Sequence, residues 1–167
     1  MDETTLRTFL RESYPRLVGA VGLVTGSAVS AEDAVQEAVL RAWQRSERGE
    51  RIDSLDGWVL TVALNLSRSG LRRLRTERAA RGRIARAERT EGPTGDRLDV
   101  QRALAALPHR QREAAVLRYF LDLSTAEIAS AMGTSEGTVK SQLAKARGHL
   151  AAVLALDPDE ENDHVEA

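Results

Sequence analysis

Between Ser135 and Leu150 the sequence interleaves small, hydroxyl-bearing and cationic residues at a spacing suited to nucleic acid. On a helix advancing about 100° per residue, Val139, Leu143, Ala146 and Leu150 share one arc and face a core. The opposite arc then carries Gly137, Ser141, Ala144 and Gly148, with Thr138, Lys140 and Lys145 on its shoulders. Such a face can enter a major groove deeply, set cations on phosphates and offer hydroxyls to base edges. Small exposed residues can also simply mark a surface helix. Against that, Gly137 and Gly148 weaken a helix for no packing gain unless another surface approaches closely.

A second charged feature is a belt. Nine arginines lie between Arg68 and Arg89 against Glu77 and Glu88, whereas the tail from Asp157 to Ala167 holds six acids and no Lys or Arg. The formal net charge of −1 therefore hides a basic segment fit for a polyanion and an acidic end. A solvated helix face is the ordinary reading of an isolated charge run, so the belt depends on its neighbours for meaning. Catalytic chemistry is poorly represented. His109, His149 and His164 have no metal-ligand spacing with one another or with nearby carboxylates, and no phosphate loop or nucleophile motif occurs. Asp33 and Glu37 stand one helical turn apart, but two carboxylates alone are weak evidence for a cation. The expected chemistry is binding, with no enzyme activity and no cofactor.

The elements that must position these groups read as helices. The chain has 167 residues, 42% of them hydrophobic and only 4% aromatic, so its core must be aliphatic. Leu6, Phe9, Leu10, Leu17, Val21 and Val24 recur mostly at three- and four-residue steps, which predicts a helix that starts, bends at Pro15 and resumes. Gly26 and Ser27 break it. Ser30 and Asp33 form a start signal for a second helix with Val35, Val39, Ala42 and Trp43 on one stripe. Ser46 to Ser54 reads as a loop, and a third helix from about Asp56 carries Trp58, Val59, Val62, Leu66 and Leu71 into the arginine belt.

Thr90 to Gly95 combines Gly, Pro and Thr with no apolar residue and is the best domain boundary. Beyond it, one helix is stopped by Pro108, and another runs through Val116, Leu117, Tyr119, Phe120 and Leu121. Ser124 and Glu127 form a capping box that opens a short helix ending at Gly133, and a last helix runs from Ser135 to Leu154. The last two make a helix-turn-helix. No run alternates like a strand. The expected fold class is all-α, two small helical domains joined by a flexible linker. With no cysteine, no signal-peptide pattern and no stretch approaching a membrane span, the expected setting is the cytoplasm, without membrane insertion.

The run LAALPHRQREAAVLRYFLDLSTAEIASAMGTSEGTVKSQLAKARGHL, Leu104 to Leu150, resembles region four of bacterial sigma factors. SAEDAVQEAVLRAW (Ser30 to Trp43), with LDGWVLTVALN (Leu55 to Asn65) and LRR (Leu71 to Arg73), resembles region two of the same family. Two motifs in the family's order cover nearly all of residues 4–154. Region three and an N-terminal inhibitory region have no counterpart, so the resemblance is to the extracytoplasmic-function (ECF) subfamily.

That resemblance implies a chain that binds core RNA polymerase and selects and helps open promoter DNA. Asp33, Gln36, Glu37 and Arg41 inherit docking on the β′ clamp helices. The loop Ser46 to Ser54, with Arg48, takes the place that captures a flipped base of the minus-ten strand, and Trp58 contributes to its wall or to the core. Asn65, Arg68, Arg72 and Arg73 would hold DNA just upstream. Thr138, Lys140, Ser141, Gln142, Lys145 and Arg147 inherit the minus-thirty-five element. The β flap and an anti-sigma factor are further implied partners. The implied layout is region two over 1–89, a linker over 90–97, region four over 98–155 and an acidic tail over 156–167.

Leu64 and Ser69 depart from the usual Arg and Asp, so those contacts do not carry over, and Gln142 stands where an Arg is common, which implies a lower phosphate affinity or a changed base preference in the recognition helix. A helix-turn-helix regulator that never joins polymerase is the alternative reading; the motif at Asp33 to Trp43 speaks against it.

Overall fold

The computed structural model describes residues 1–81 and 96–155, with side chains described over 1–70 and 100–152. The described residues form helices α1 (Glu3–Glu12), α2 (Tyr14–Thr25), α3 (Ala28–Glu47), α4 (Leu55–Arg81), α5 (Asp96–Ala106), α6 (His109–Tyr119), α7 (Thr125–Met132) and α8 (Glu136–Ala155), and no strand. The all-α expectation holds. The boundary at Thr90 to Gly95, the arginines from Arg83 to Arg89 and the acidic tail lie outside the described residues.

Local chemistry sets most helix ends. The Asp2 carboxylate accepts the Thr5 amide at 2.7 Å and starts α1. Ser13 separates α1 from α2, and Pro15 sits in the first turn of α2, where its missing N–H costs nothing. Pro15 thus marks the start of a helix rather than a bend within one. Gly26, at φ 77°, ends α2 in the left-handed region.

The cap of α3 is Ser27, whose hydroxyl accepts the Ser30 amide at 3.2 Å. The expected start at Ser30 lies one turn too late. Ser27 follows the left-handed Gly26 directly and has the extended backbone a cap requires, so it captures the helix first. At the other end α3 runs to Glu47, and Gly49 at φ 76° turns the chain toward α4. The expected loop therefore shrinks to 48–54, with the Ser54 hydroxyl accepting the Gly57 amide at 3.2 Å.

Helix α4 buries Val59, Leu60, Ala63 and Leu64, while Trp58, Val62 and Leu66 are only partly buried against them. The expected stripe of Trp58, Val59, Val62, Leu66 and Leu71, the last with its side chain outside those described, is too narrow. A helix packed on one side shows one stripe, but α4 lies between α3 and α7 and needs a wider apolar arc.

A single core runs through both halves of the chain. Val21, Val35, Val59 and Leu64 belong to the same cluster as Leu117, Ile128, Met132 and Val139. Helix α2 packs on α6 and α4 on α7, which makes the cluster continuous. A Cβ added at Gly19 would stand 3.3 Å from Cζ of Phe120, so glycine there admits the ring. A smaller cluster of Leu107, Ala115 and Ala146, flanked by Leu104 and Leu150, ties α5, α6 and α8 together.

Candidate functional site

Positioning of the α8 face begins at α7. The Ser124 hydroxyl accepts the Glu127 amide at 3.2 Å while the Glu127 carboxylate accepts the Ser124 amide at 2.8 Å, completing the capping box. The Ser124 side chain and then its backbone amide hold the Glu127 carboxyl below its usual range. Gly133, at φ 62°, makes the turn. Ser135 then accepts the Thr138 amide at 3.2 Å, and its hydroxyl lies 2.9 Å from that of Thr138.

Val139, Leu143 and Ala146 are buried as the arc requires, with Leu150 partly buried beside them. Thr138, Lys140, Ser141, Lys145 and Arg147 are exposed and Gln142 is half-buried. A Cβ at Gly148 would meet nothing within 4 Å, and one at Gly137 would meet only the Ser135 hydroxyl at 3.9 Å. Among the described residues no carboxylate pairs with Lys140, Lys145 or Arg147. The result is an open convex face with free cations on its shoulders, able to approach a phosphate backbone closely. His149 is exposed, as expected, but its Nδ1 lies 2.7 Å from Oε1 of Gln111 and fastens α8 to α6.

The N-terminal candidates are arranged along α3, the 48–54 turn and α4. Arg48 caps α3 and is exposed. Trp58 packs against the core and also lines a cleft of about 790 Å³, with Arg51, Ser54 and Thr61 on one side and Leu121 and Ala131 on the other. Trp58 is thus a core residue with part of its ring left open to the cleft. Arg72 and Arg73 lie on α4, with side chains outside those described.

Asn65 and Arg68 are engaged internally. Arg68 donates from Nη1 to Oδ1 of Asn65 at 2.7 Å and from Nε to Oε1 of Glu113 at 3.1 Å. Its Nη2 also reaches Glu113 and, at 3.4 Å, the carbonyl of Ala131.

Glu113 is the residue that sequence reasoning missed. It is wholly buried, with Nη1 of Arg110 at 3.2 Å from its second oxygen and Nδ1 of His109 at 3.9 Å. Burial pushes the His109 imidazole below its ordinary pKa, and the nearby Glu113 carboxylate only partly offsets that. The available signal was position: Glu113 stands three and four residues before Val116 and Leu117, on an apolar stripe where an acid must have a partner.

On α3, Asp33, Gln36 and Arg41 are exposed and Glu37 half-buried. Arg41 donates to Glu37 at 2.7 Å and Gln36 to Glu32 at 3.4 Å. Leu40, 51% exposed, sits among these polar groups and was not anticipated. The described residues contain no cluster of His, Cys, Asp and Glu able to hold a metal ion, and no helix long and apolar enough to cross a membrane.

Comparison with known proteins agrees with this arrangement. The family model for Sigma-70 region 2 matches residues 9–77 and that for Sigma-70, region 4 matches residues 97–150. The ECF RNA polymerase sigma factor EcfG of Rhodopseudomonas palustris is 32% identical over 161 residues, covering 94% of this chain and 89% of the relative. The chain belongs to the ECF sigma factors of the sigma-70 family. ECF sigma factor SigL of Mycobacterium tuberculosis is 38% identical over 128 residues, 72% of each chain.

Among solved structures, the sigma factor RpoE from Bartonella quintana, in complex with the anti-sigma factor NepR, superposes with a TM-score of 0.76 at 26% identity, covering 93% of this chain and 99% of that one. CnrH, in complex with the cytosolic domain of CnrY, shares the fold with a TM-score of 0.64 at 23% identity, over 90% of this chain and 87% of that one. As an ECF sigma factor the chain binds core RNA polymerase and directs promoter-specific transcription initiation. It is a specificity subunit and not an enzyme.

Proposed function

We propose that the contacts behind this activity divide among three surfaces of the chain. The polar face of α3, with Asp33, Gln36, Glu37 and Arg41, docks on the clamp helices of the polymerase β′ subunit, and the exposed Leu40 supplies an apolar anchor amid those charges. The 48–54 turn with Arg48, and Trp58 behind it, receives an unstacked base of the minus-ten strand, whose extrusion costs a few kcal/mol that the pocket and backbone contacts offset. Asn65, Arg68, Arg72 and Arg73 hold the adjoining backbone. Leu64 stays out of this set because it is buried.

Thr138, Lys140, Ser141, Gln142, Lys145 and Arg147 read the minus-thirty-five element. The observation that carries this assignment is the open outer arc of α8, where exposed cations flank Ser141 and nothing covers Gly148. In this reading region two spans 1–89 and region four 98–155, with a linker over 90–97, an acidic tail over 156–167, and contact of the C-terminal unit with the β flap. The protein works in the cytoplasm, and an anti-sigma factor restrains it.

Photo-crosslinking from a benzophenone side chain at single positions tests the map. From Gln36 it should label β′, from Arg48 the non-template minus-ten strand, and from Ser141 the upstream duplex. Labelling of DNA from Gln36, or of no DNA from Ser141, rejects the assignment.

A further inference from the structure

We propose that Asp56, oriented by Ser13, selects the unstacked base of the minus-ten strand, admitting a base whose exocyclic amine stands beside a bare ring nitrogen, cytosine or adenine, over thymine and guanine. The inference rests on the reading that the cleft beside the 48–54 turn receives that base, and names the chemistry by which the cleft chooses it. The carboxylates lining the cleft are Glu12, Asp53, Asp56 and Glu127. Three of them are already engaged. Glu12 pairs with Arg11 at 2.7 Å, Asp53 with Arg51 at 3.3 Å, and Glu127 closes the capping box of α7. Asp56 is exposed in the first turn of α4, and among the described residues no cation pairs with it.

A neutral donor from a distant segment orients this acid. Ser13 occupies the N-cap of α2 but makes no side-chain cap bond there. Its hydroxyl donates instead to Oδ2 of Asp56 at 2.8 Å, across 43 positions of sequence. One oxygen is thereby fixed, and Oδ1 is left as the acceptor without a donor among the described residues. Nearby groups that could serve a base carbonyl are turned elsewhere: Thr61 donates to the Gly57 carbonyl at 2.8 Å, and Arg45 pairs with Glu50 at 2.9 Å. Ile52 and the open part of the Trp58 ring give the cleft apolar surface for a flat ring. The amine of cytosine or adenine donates to a carboxylate oxygen. Thymine instead sets two carbonyl oxygens around its one N–H, and these repel the acid. Guanine offers two adjacent N–H donors that grip a carboxylate through both oxygens, one of which Ser13 holds. An acid in a first turn also suits the helix dipole, so the decisive readout is base preference and not stability.

Holoenzyme assembled from core polymerase and the full chain is titrated with single strands of the minus-ten region, taken from a promoter found by run-off transcription. The base crosslinked from Arg48 is varied. Cytosine or adenine there should bind at least about tenfold more tightly than thymine, and than the same base without its amine, 2-pyrimidinone for cytosine or purine for adenine. Asp56→Ala should bring both ratios below about twofold and leave the affinity for the thymine strand unchanged. Asp56→Asn, which offers a donor beside its acceptor, should tighten binding of the thymine strand, a change that a purely structural role does not produce. Ser13→Ala should lower the ratios and Ser13→Thr should restore them.

Equal binding of strands with and without the amine by the wild-type holoenzyme, or a preference for thymine or guanine, overturns the inference. So does wild-type discrimination in Asp56→Ala. Crosslinking from Arg48 is scored separately. A strand that is crosslinked but bound without regard to the amine removes Asp56 as the selector and keeps the cleft as the base site, whereas failure to crosslink the minus-ten strand from Arg48 removes both.

Discussion

Lys140 and Lys145 flank Ser141 on the outer arc of α8, and each should neutralise about one phosphate. Replacing both by Ala should reduce the log–log salt slope of promoter affinity by about two and weaken binding to different sequences about equally. Ser141→Ala or Gln142→Ala removes hydrogen-bonding groups but no charge. Each should leave the slope nearly intact and change discrimination in the minus-thirty-five element by roughly 1–3 kcal/mol where a bidentate-quality contact is lost. Gly148→Leu should stabilise the free helix by about 1 kcal/mol or less while blocking close approach to DNA. Salt titrations of these variants against wild type check the set. An unchanged slope in the double lysine variant would show that this face does not meet DNA.

The inner and outer arcs of α8 were legible residue by residue, because an apolar period of 3.6 needs no knowledge of the partner. Glu113 was not. Its partner Arg68 lies 45 positions away, and a pairing across that distance leaves no period in the sequence.

At the scale of elements, α3 presents its docking face as a unit. Reversing charge at both Asp33 and Glu37 should abolish association with core polymerase and leave helical content unchanged, since Asp33 is exposed and Glu37 only half-buried. Co-purification with core alongside circular dichroism measures both; retention at the wild-type level would move the interface elsewhere. Helix α7 gives a stability test. Ser124→Ala removes the cap of a short helix and should cost about 1 kcal/mol in chemical denaturation.

The start of α6 gives a pH test. The folded His109 imidazole has its pKa below the ordinary value of 6.5, so the unfolded chain takes up the proton more readily. Its contribution is therefore intact above that value, and stability falls as pH drops through it. Glu127, whose pKa is depressed from 4.5, loses its contribution only in more acidic solution. His109→Gln should flatten the loss of stability between about pH 7 and pH 5.5.

Helix ends follow their local signals where a single cap and a single glycine bound the helix without a competitor, as Ser124 and Gly133 do for α7. The start of α3 was misplaced because two serines competed and the left-handed Gly26 decided between them.

For the whole molecule, the two family regions were readable from their motifs, but the contact between them was not. Separate apolar sets for each half were legible, whereas the continuous core depends on how Gly19 and Phe120, and α4 and α7, meet in space. Cleavage within 90–95 should still leave two helical fragments, and the shared core predicts that they remain associated until mild denaturant separates them. Fragments that part at once in buffer would show that the seam adds little.

The central claim is that this chain, bound to core polymerase, selects promoters through these surfaces. Run-off transcription on genomic fragments with purified core enzyme measures it most directly. The expected result is a discrete transcript that requires the protein, disappears with the Asp33 and Glu37 charge reversal, and weakens with Lys140→Ala and Lys145→Ala together. A transcript that appears equally without the protein, or that survives the docking reversal at full strength, would contradict the account.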